Sequence, residues 1–319
     1  MTPATAADAA TRPGYLRDGA LLTVEDLHCS FKTPSGRVSA VRGVSFDVLP
    51  GETLGLVGES GCGKTTTGRA ILRLPAAQSG TVTFRGDDMS TYSRRQMLAA
   101  RRRLQMIFQD PLSSFNPRRK VVDIVGEGLD IQGVRRAERR ERISTALHQV
   151  GMSVELVGDR RAHEFSGGQC QRISIARALA LGPELIVCDE PVASLDVSVQ
   201  ARVLNVLQDI RENNDLSLVF VSHDLAVVKV MSDRIAVMHR GRIVEIGDAD
   251  AVYANPSHPY TRRLLDAVPV IAESERRVTL PAVSDDDEWR TVDRELVEVA
   301  SGHFAAIGEV VSENVKASS

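Results

Sequence analysis

Apolar and polar positions change their period along the chain, and the period predicts the elements. Val44-Ser45-Phe46-Asp47-Val48 and Thr81-Val82-Thr83-Phe84 alternate at period two, which suits antiparallel strands with one face in water. Leu54-Gly55-Leu56-Val57 and Leu185-Ile186-Val187-Cys188 are instead continuously apolar, and residues 216–221 have the length of a buried strand. Strands covered on both faces, as in a parallel sheet, need that composition. From about residue 97 to 181 the texture becomes helical, with Ile143, Ala146, Leu147 and Val150 at i, i+3, i+4 and i+7. Sheet-like sequence returns at residues 234–238 and 242–246, around His239-Arg240-Gly241. The pattern predicts an α/β core interrupted by a helical insertion at about 97–181. Residues 1–20 read as a flexible N-terminus. Beyond about 250 lies an appended C-terminal segment. It begins ordered, passes through an acidic link at Asp285-Asp286-Asp287-Glu288, and ends in a short element around residues 294–299 packed lightly on the core.

Composition narrows the classes without adding a function. The 319 residues are 43% hydrophobic and 25% charged, an ordinary globular balance that excludes collagen, extended disorder and a disulfide mini-protein. A net charge of −3 provides no basic field for nucleic acid. Arg94-Arg95 and Arg101-Arg102-Arg103 therefore read as a solvated helical face. No apolar run approaches the roughly 18–20 residues of a membrane-spanning helix, and the N-terminal stretch lacks the apolar core of a signal peptide. A cytosolic chain is expected. Cys29, Cys62, Cys170 and Cys188 form no C-x-x-C pair, which points to buried thiols rather than a metal site or disulfide.

Three motifs carry chemistry. Gly58-Glu59-Ser60-Gly61-Cys62-Gly63-Lys64-Thr65 fits the phosphate-binding loop, placed after an apolar strand and before a helix. Its glycines let successive N–H groups curl inward around an anion, and the following helix adds its positive end. Lys64 is expected to reach β- and γ-phosphates, Thr66 to lie against the same phosphates, and the Thr65 hydroxyl to ligate Mg²⁺. Asp189 and Glu190 end the apolar strand at 185–188, at the edge where open α/β sheets bind ligands. Asp189 is expected to orient Mg²⁺ or its water shell, and Glu190 to polarise an attacking water. Phe165-Ser166-Gly167-Gly168-Gln169 starts a further helix, stopped by Gly182-Pro183. That start reads either as a second anion site or as an ordinary Ser N-cap.

With these residues in order the chain resembles the ATP-binding cassette (ABC) transporter ATPases over about residues 21–270. The resemblance implies an α/β fold: a P-loop NTPase (RecA-like) core with an antiparallel β subdomain, a helical subdomain particular to the family and a short C-terminal extension. The implied division is a nucleotide-binding domain at 21–250 and an extension at 251–319. It implies ATP and Mg²⁺ as ligands. Gln109 then senses Mg²⁺ and water, and His223 contacts the γ-phosphate. Phe31 packs on adenine, and Ser166, Gly167, Gly168 and Gln169 contact ATP across a dimer. Ser194, Leu195 and Asp196 cross the dimer interface. Asn255-Pro256-Ser257-His258-Pro259-Tyr260-Thr261 is similar to the tail of the oligopeptide/dipeptide importer subfamily. Many of those tails continue into a cysteine cluster, but no cysteine follows Cys188 here. No iron–sulfur centre is expected, because a cluster needs thiolate ligands.

One set of motifs implies a second ATPase subunit, identical or homologous, in another chain. Two transmembrane permeases and an extracytoplasmic solute-binding protein are also expected as separate chains, with this subunit peripheral on the cytoplasmic face of the membrane. Peptides are the expected cargo. Uptake of nickel, sugars or another small solute is an alternative, and a soluble ABC ATPase outside transport is a distant one.

Overall fold

A computed structural model describes residues 13–34, 36–74, 76–267 and 295–307. In chain order the strands are β1 (Leu22–Thr33), β2 (Gly36–Val48), β3 (Thr53–Val57), β4 (Ser79–Phe84), β5 (Asp87–Asp88) and β6 (Leu104–Ile107). They continue with β7 (Leu185–Asp189), β8 (Ser217–Ser222), β9 (Arg234–His239), β10 (Arg242–Asp248), β11 (Val297–Ala300) and β12 (His303–Ala305). The helices are α1 (Lys64–Ile71), α2 (Arg94–Arg103), α3 (Pro111–Ser114), α4 (Val121–Ile131), α5 (Arg136–Gln149) and α6 (Val154–Val157). After them come α7 (Gly167–Leu179), α8 (Val197–Asn214), α9 (Leu225–Met231), α10 (Ala249–Ala254) and α11 (Pro259–Asp266).

Two sheets organise the molecule. The smaller is antiparallel, in the order β2-β1-β4-β5, and the larger runs β11-β12-β10-β9-β3-β8-β7-β6. Strands β9, β3, β8, β7 and β6 are mutually parallel, while β10 and β12 add antiparallel. Every residue of β3 and β7 is buried, as their unbroken apolar runs require. Alternate residues feed two cores: Leu54, Leu56, Leu185 and Val187 join the cluster shared with β1 and β2. Val57, Ile186 and Cys188 join the cluster built from α4, α5 and α7. The large sheet is therefore covered on both faces.

Five expectations are corrected. The alternation at 44–48 does form an antiparallel strand, but both its faces are buried, Ser45 and Asp47 included. Residues 13–20 pack over this strand and are not a flexible terminus, while residues 1–12 lie outside the described residues. Arg17 pairs with Asp47 at 2.7 Å and Glu52 at 2.5 Å, and Arg234 meets the same two acids at 3.4 and 3.3 Å. The stretch 97–181 is not helical throughout, since Leu104–Ile107 is the edge strand of the parallel sheet, paired with β7. Four residues are too few to display a period. Arg101, Arg102 and Arg103 are not a solvated face. Arg101 donates to the carbonyls of Leu72 and Arg73, Arg102 to Leu181, and Arg103 pairs with Glu184. Arg94 and Arg95 are exposed.

The fifth correction is the tail: β11, at the expected place, is half exposed as anticipated, but the chain goes on into a buried strand. β12 pairs with β10 at Glu245↔Ala305 and Ile246↔Phe304, and His303 and Ala305 are buried, so this element is part of the sheet. The acidic run at 285–288 and Arg294 lie outside the described residues. All four cysteines are free and buried. Among the described residues no helix is long and apolar enough to cross a membrane.

Candidate active site

The loop at 58–63 leaves β3 and enters α1 at Lys64. It is pressed between two backbones: a Cβ at Gly58 would stand 2.1 Å from the Met238 carbonyl oxygen, and one at Gly63 2.3 Å from that of Ala40. Gly63 also has φ +111°, a conformation side chains resist. Two further bonds hold the loop from outside. Gly241 N–H donates to the Cys62 carbonyl at 2.8 Å, and Glu59 N–H donates to the Tyr260 hydroxyl at 2.9 Å. The first turn of α1 has no side-chain cap and no acidic residue. Its N–H groups and positive end suit an anion. Lys64 is buried along its stem and donates to the carbonyls of Gly58 at 2.7 Å and Glu59 at 2.9 Å.

Asp189 ends β7, and its Oδ1 accepts from the Thr65 hydroxyl at 2.7 Å. Burial holds this carboxyl above the usual aspartate range, and the Thr65 bond offsets part of the rise. The next residue, Glu190, has φ +45°, in the left-handed region that side chains other than glycine seldom occupy. Its N–H donates to the Val221 carbonyl on β8 at 3.0 Å. Its Oε2 lies 3.3 Å from Gln109 Nε2 and 3.3 Å from His223 Nδ1, and its Oε1 lies 3.9 Å from Lys64 Nζ. Gln109 follows β6, His223 follows β8 and Lys64 follows β3. Four parallel strands thus deliver one residue or more each to the same carboxyl edge, where such sheets bind ligands. Thr65 and Asp189 offer the hard oxygen donors that Mg²⁺ selects.

The remaining expected residues lie outside this hydrogen-bonded cluster. Ser166 caps α7, accepting from Gln169 N–H at 3.4 Å, while the Gln169 side chain accepts from Ser166 N–H at 3.0 Å. Gly167 and Gly168 sit against the loop at 194–196 and the start of α8. A Cβ on Gly168 would reach within 2.2 Å of Val199 Cγ1, and one on Gly167 within 3.3 Å of Leu195 Cδ2. Asp196 caps α8 through Val199 N–H at 3.0 Å. Ser166, Gly167, Gln169, Ser194 and Asp196 are exposed together on this face. Phe31, on β1 opposite Val38, is 40% exposed.

Two residues that motif reading missed take part. Arg177 on α7 donates to the Ser114 carbonyl at 3.2 Å and hydroxyl at 2.9 Å, and lies over the Phe115 ring. It ties the helix begun at Ser166 to the segment after Gln109. An arginine inside an otherwise apolar helix face was the available signal. Tyr260, fully interior, touches the phosphate loop from the C-terminal segment; the tail motif at 255–261 contains it but carries no sign of that contact.

Comparison with known proteins agrees with this geometry. The profile of the ABC transporter family matches residues 41–193, and that of the oligopeptide/dipeptide transporter C-terminal region matches residues 244–288. The oligopeptide transport ATP-binding protein OppF of Bacillus subtilis is 47% identical over 295 residues, covering 91% of this chain and 96% of that protein. The dipeptide transport ATP-binding protein DppF of Lactococcus lactis is 44% identical over 302 residues, covering 93% and 96%. Among solved structures, cbiO1 of Clostridium perfringens, part of the ABC transporter complex cbiONQ, superposes with a TM-score of 0.66 at 26% identity, covering 75% of this chain and 92% of that one. The ATP-binding cassette MJ0796 shares the fold, with a TM-score of 0.65 at 24% identity over 72% and 98% of the two chains.

Proposed function

This chain belongs to the ABC transporter family as an ATP-hydrolysing subunit that energises a peptide importer, and from that premise we propose how its residues divide the work. The observation that carries the division is the meeting of Gln109, His223 and Lys64 at the Glu190 carboxylate, beside the Thr65–Asp189 pair. The loop at 58–63, its Glu59 N–H turned to Tyr260, surrounds the phosphates with its other N–H groups, while Lys64, Thr65 and Thr66 continue that grip into α1. Thr65 and Asp189 would hold Mg²⁺, directly or through its waters, and Gln109 would offer it an amide oxygen. When bound, the ion neutralises charge on the phosphates.

Glu190 accepts the proton of the attacking water, because its carboxylate faces the loop. His223 and Gln109 hold that carboxylate in one orientation. Little covalent chemistry is required beyond this positioning. Phe31 offers its exposed ring to the adenine base. Ser166, Gly167, Gly168 and Gln169, with Ser194, Leu195 and Asp196, face a second ATPase subunit, each subunit closing the other's nucleotide site. That second ATPase, two permeases and an extracytoplasmic solute-binding protein complete the assembly, and this subunit sits on the cytoplasmic face of the membrane. The segment 110–117 meets the permeases.

The test is reconstitution. The chain, reconstituted in proteoliposomes with permease and ATPase subunits of a peptide importer, should take up peptide only with MgATP. Lys64→Ala should abolish uptake and phosphate release together. Peptide uptake that ignores ATP, or full ATPase activity in Lys64→Ala, would overturn this reading.

A further inference from the structure

The phosphate loop is held from outside by a residue of the C-terminal segment. Tyr260 is 2% exposed, and its hydroxyl accepts the Glu59 N–H at 2.9 Å. Its ring lies 4.1 Å, centroid to centroid, from that of His239, the last residue of β9. The β9–β10 turn is the one that supplies Gly241 N–H to Cys62. Tyr260 is therefore wedged between the loop and the loop's other support.

Its own height is set by a second clamp. Tyr260 is the second residue of α11, whose buried N-cap His258 accepts from Tyr260 N–H at 3.1 Å. The chain entering that helix is anchored on Glu245, a fully buried carboxylate of β10. Ser257 N–H donates to one oxygen at 2.7 Å and His258 N–H to the other at 3.0 Å. His303 of β12 closes the clamp, with Nε2 2.7 Å from Glu245 Oε1. A continuous path of hydrogen bonds and chain thus joins the terminal strand to the phosphate loop.

We propose that Tyr260 is a positioning residue for ATP: by fixing the Glu59 amide it keeps the phosphate loop in its binding curl before nucleotide arrives, and the Glu245–His303 clamp keeps Tyr260 seated. The inference rests on the nucleotide reading of the site given above. Glycines at 58, 61 and 63 give the loop unusual freedom. A loop that must be ordered on binding loses affinity by the fraction of time it spends misshapen. Tyr260 removes that loss without touching the reacting atoms. Affinity should therefore depend on it, and turnover at saturation should not.

The test uses the full chain and MgATP, titrated by calorimetry, with hydrogen exchange read at residues 58–63. Tyr260→Phe keeps the ring and deletes only the hydroxyl. About tenfold weaker MgATP binding is expected, the scale of one part-buried hydrogen bond lost. Exchange at 58–63 should accelerate while β7 amides stay protected. In the assembled transporter KM for ATP should rise and kcat stay within about twofold. His303→Ala, cutting the far end of the path, should speed loop exchange less, and an unchanged loop there overturns the tail's share. Wild-type affinity and loop exchange in Tyr260→Phe would overturn the inference, as would a fall in kcat at unchanged KM. A uniform rise in exchange across the sheet, with affinity preserved, would overturn it too. A wild-type chain that binds no MgATP overturns the nucleotide reading and this inference together, whereas normal wild-type binding beside an unaffected Tyr260→Phe overturns this inference alone.

Discussion

Glu190 holds a backbone conformation of φ +45°, which costs a non-glycine residue on the order of 1–3 kcal/mol. The return is placement: its carboxylate meets Gln109, His223 and Lys64 within 3.9 Å. Glu190→Gln keeps the shape and removes the proton acceptor, so MgATP binding should persist while hydrolysis falls by about 10²-fold or more. The mutant should accumulate as a nucleotide-bound dimer with its partner ATPase on size-exclusion chromatography, and a monomer with full turnover would contradict the role. Cys188 marks the opposite extreme at the same edge. Full burial pushes its thiol up to about 12, so at pH 8 it should be the last of the four cysteines to react with a maleimide. Rapid labelling of Cys188 in the native chain, followed by mass spectrometry, would show that β7 opens more readily than its burial allows.

At the scale of elements, α7 connects two surfaces. Its first turn carries the exposed Ser166–Gln169 pair, with Gly168 pressed on Val199 of α8, and its Arg177 grips Ser114 and Phe115 next to exposed Leu112. Gly168→Ala places a methyl where Val199 Cγ1 stands 2.2 Å away. Overpacking of that kind costs about 1–3 kcal/mol, so the melting temperature should fall and ATPase activity with it. An unchanged melting curve would show that α7 and α8 separate at no cost. Arg177→Met should leave Ser114 without its donors. Transport should then fall further than ATPase activity of the isolated subunit, because what is lost is the tie between α7 and the segment 110–117, which we propose meets the permeases. Equal losses in both assays would make Arg177 merely structural.

For the whole molecule, the terminal strands are the decisive feature. The acidic run and weak period after residue 284 suggest a dispensable tail, yet β12 extends the large sheet and His303 Nε2 lies 2.7 Å from the buried Glu245 side chain. Deleting residues 295–319 should leave Glu245 short of a partner and lower the melting temperature by about 5 °C, the scale of about 2 kcal/mol. It should also weaken MgATP binding through Tyr260. A truncated chain with unaltered melting would show that the strand docks without energetic consequence. The N-terminal residues act likewise beside the terminal strands, the Tyr15 ring lying 5.5 Å from the Phe304 ring of β12. Arg17, with Arg234, neutralises Asp47 and Glu52. Removing residues 1–20 would strand those buried acids beside one arginine.

What the sequence determined by itself was chemistry of short range. The phosphate loop, the Asp189-Glu190 pair and the Ser166 helix start are contiguous residues whose spacing already encodes strand, turn and helix, and the apolar runs of β3 and β7 announce two covered faces. Gln109 and His223 were legible through resemblance, since each is a single polar residue after a strand. Tertiary structure alone decided the rest. Asp47 reads as a solvent-facing alternant because its partners Arg17 and Arg234 lie 30 and 187 residues away. Leu104–Ile107 is a core strand because β7 offers it an edge. Tyr260 meets Glu59 across 201 residues. A period reports what one segment wants to bury. It carries no record of which distant segment arrives to bury it, and it is that arrival which couples the tail of this chain to its phosphate loop.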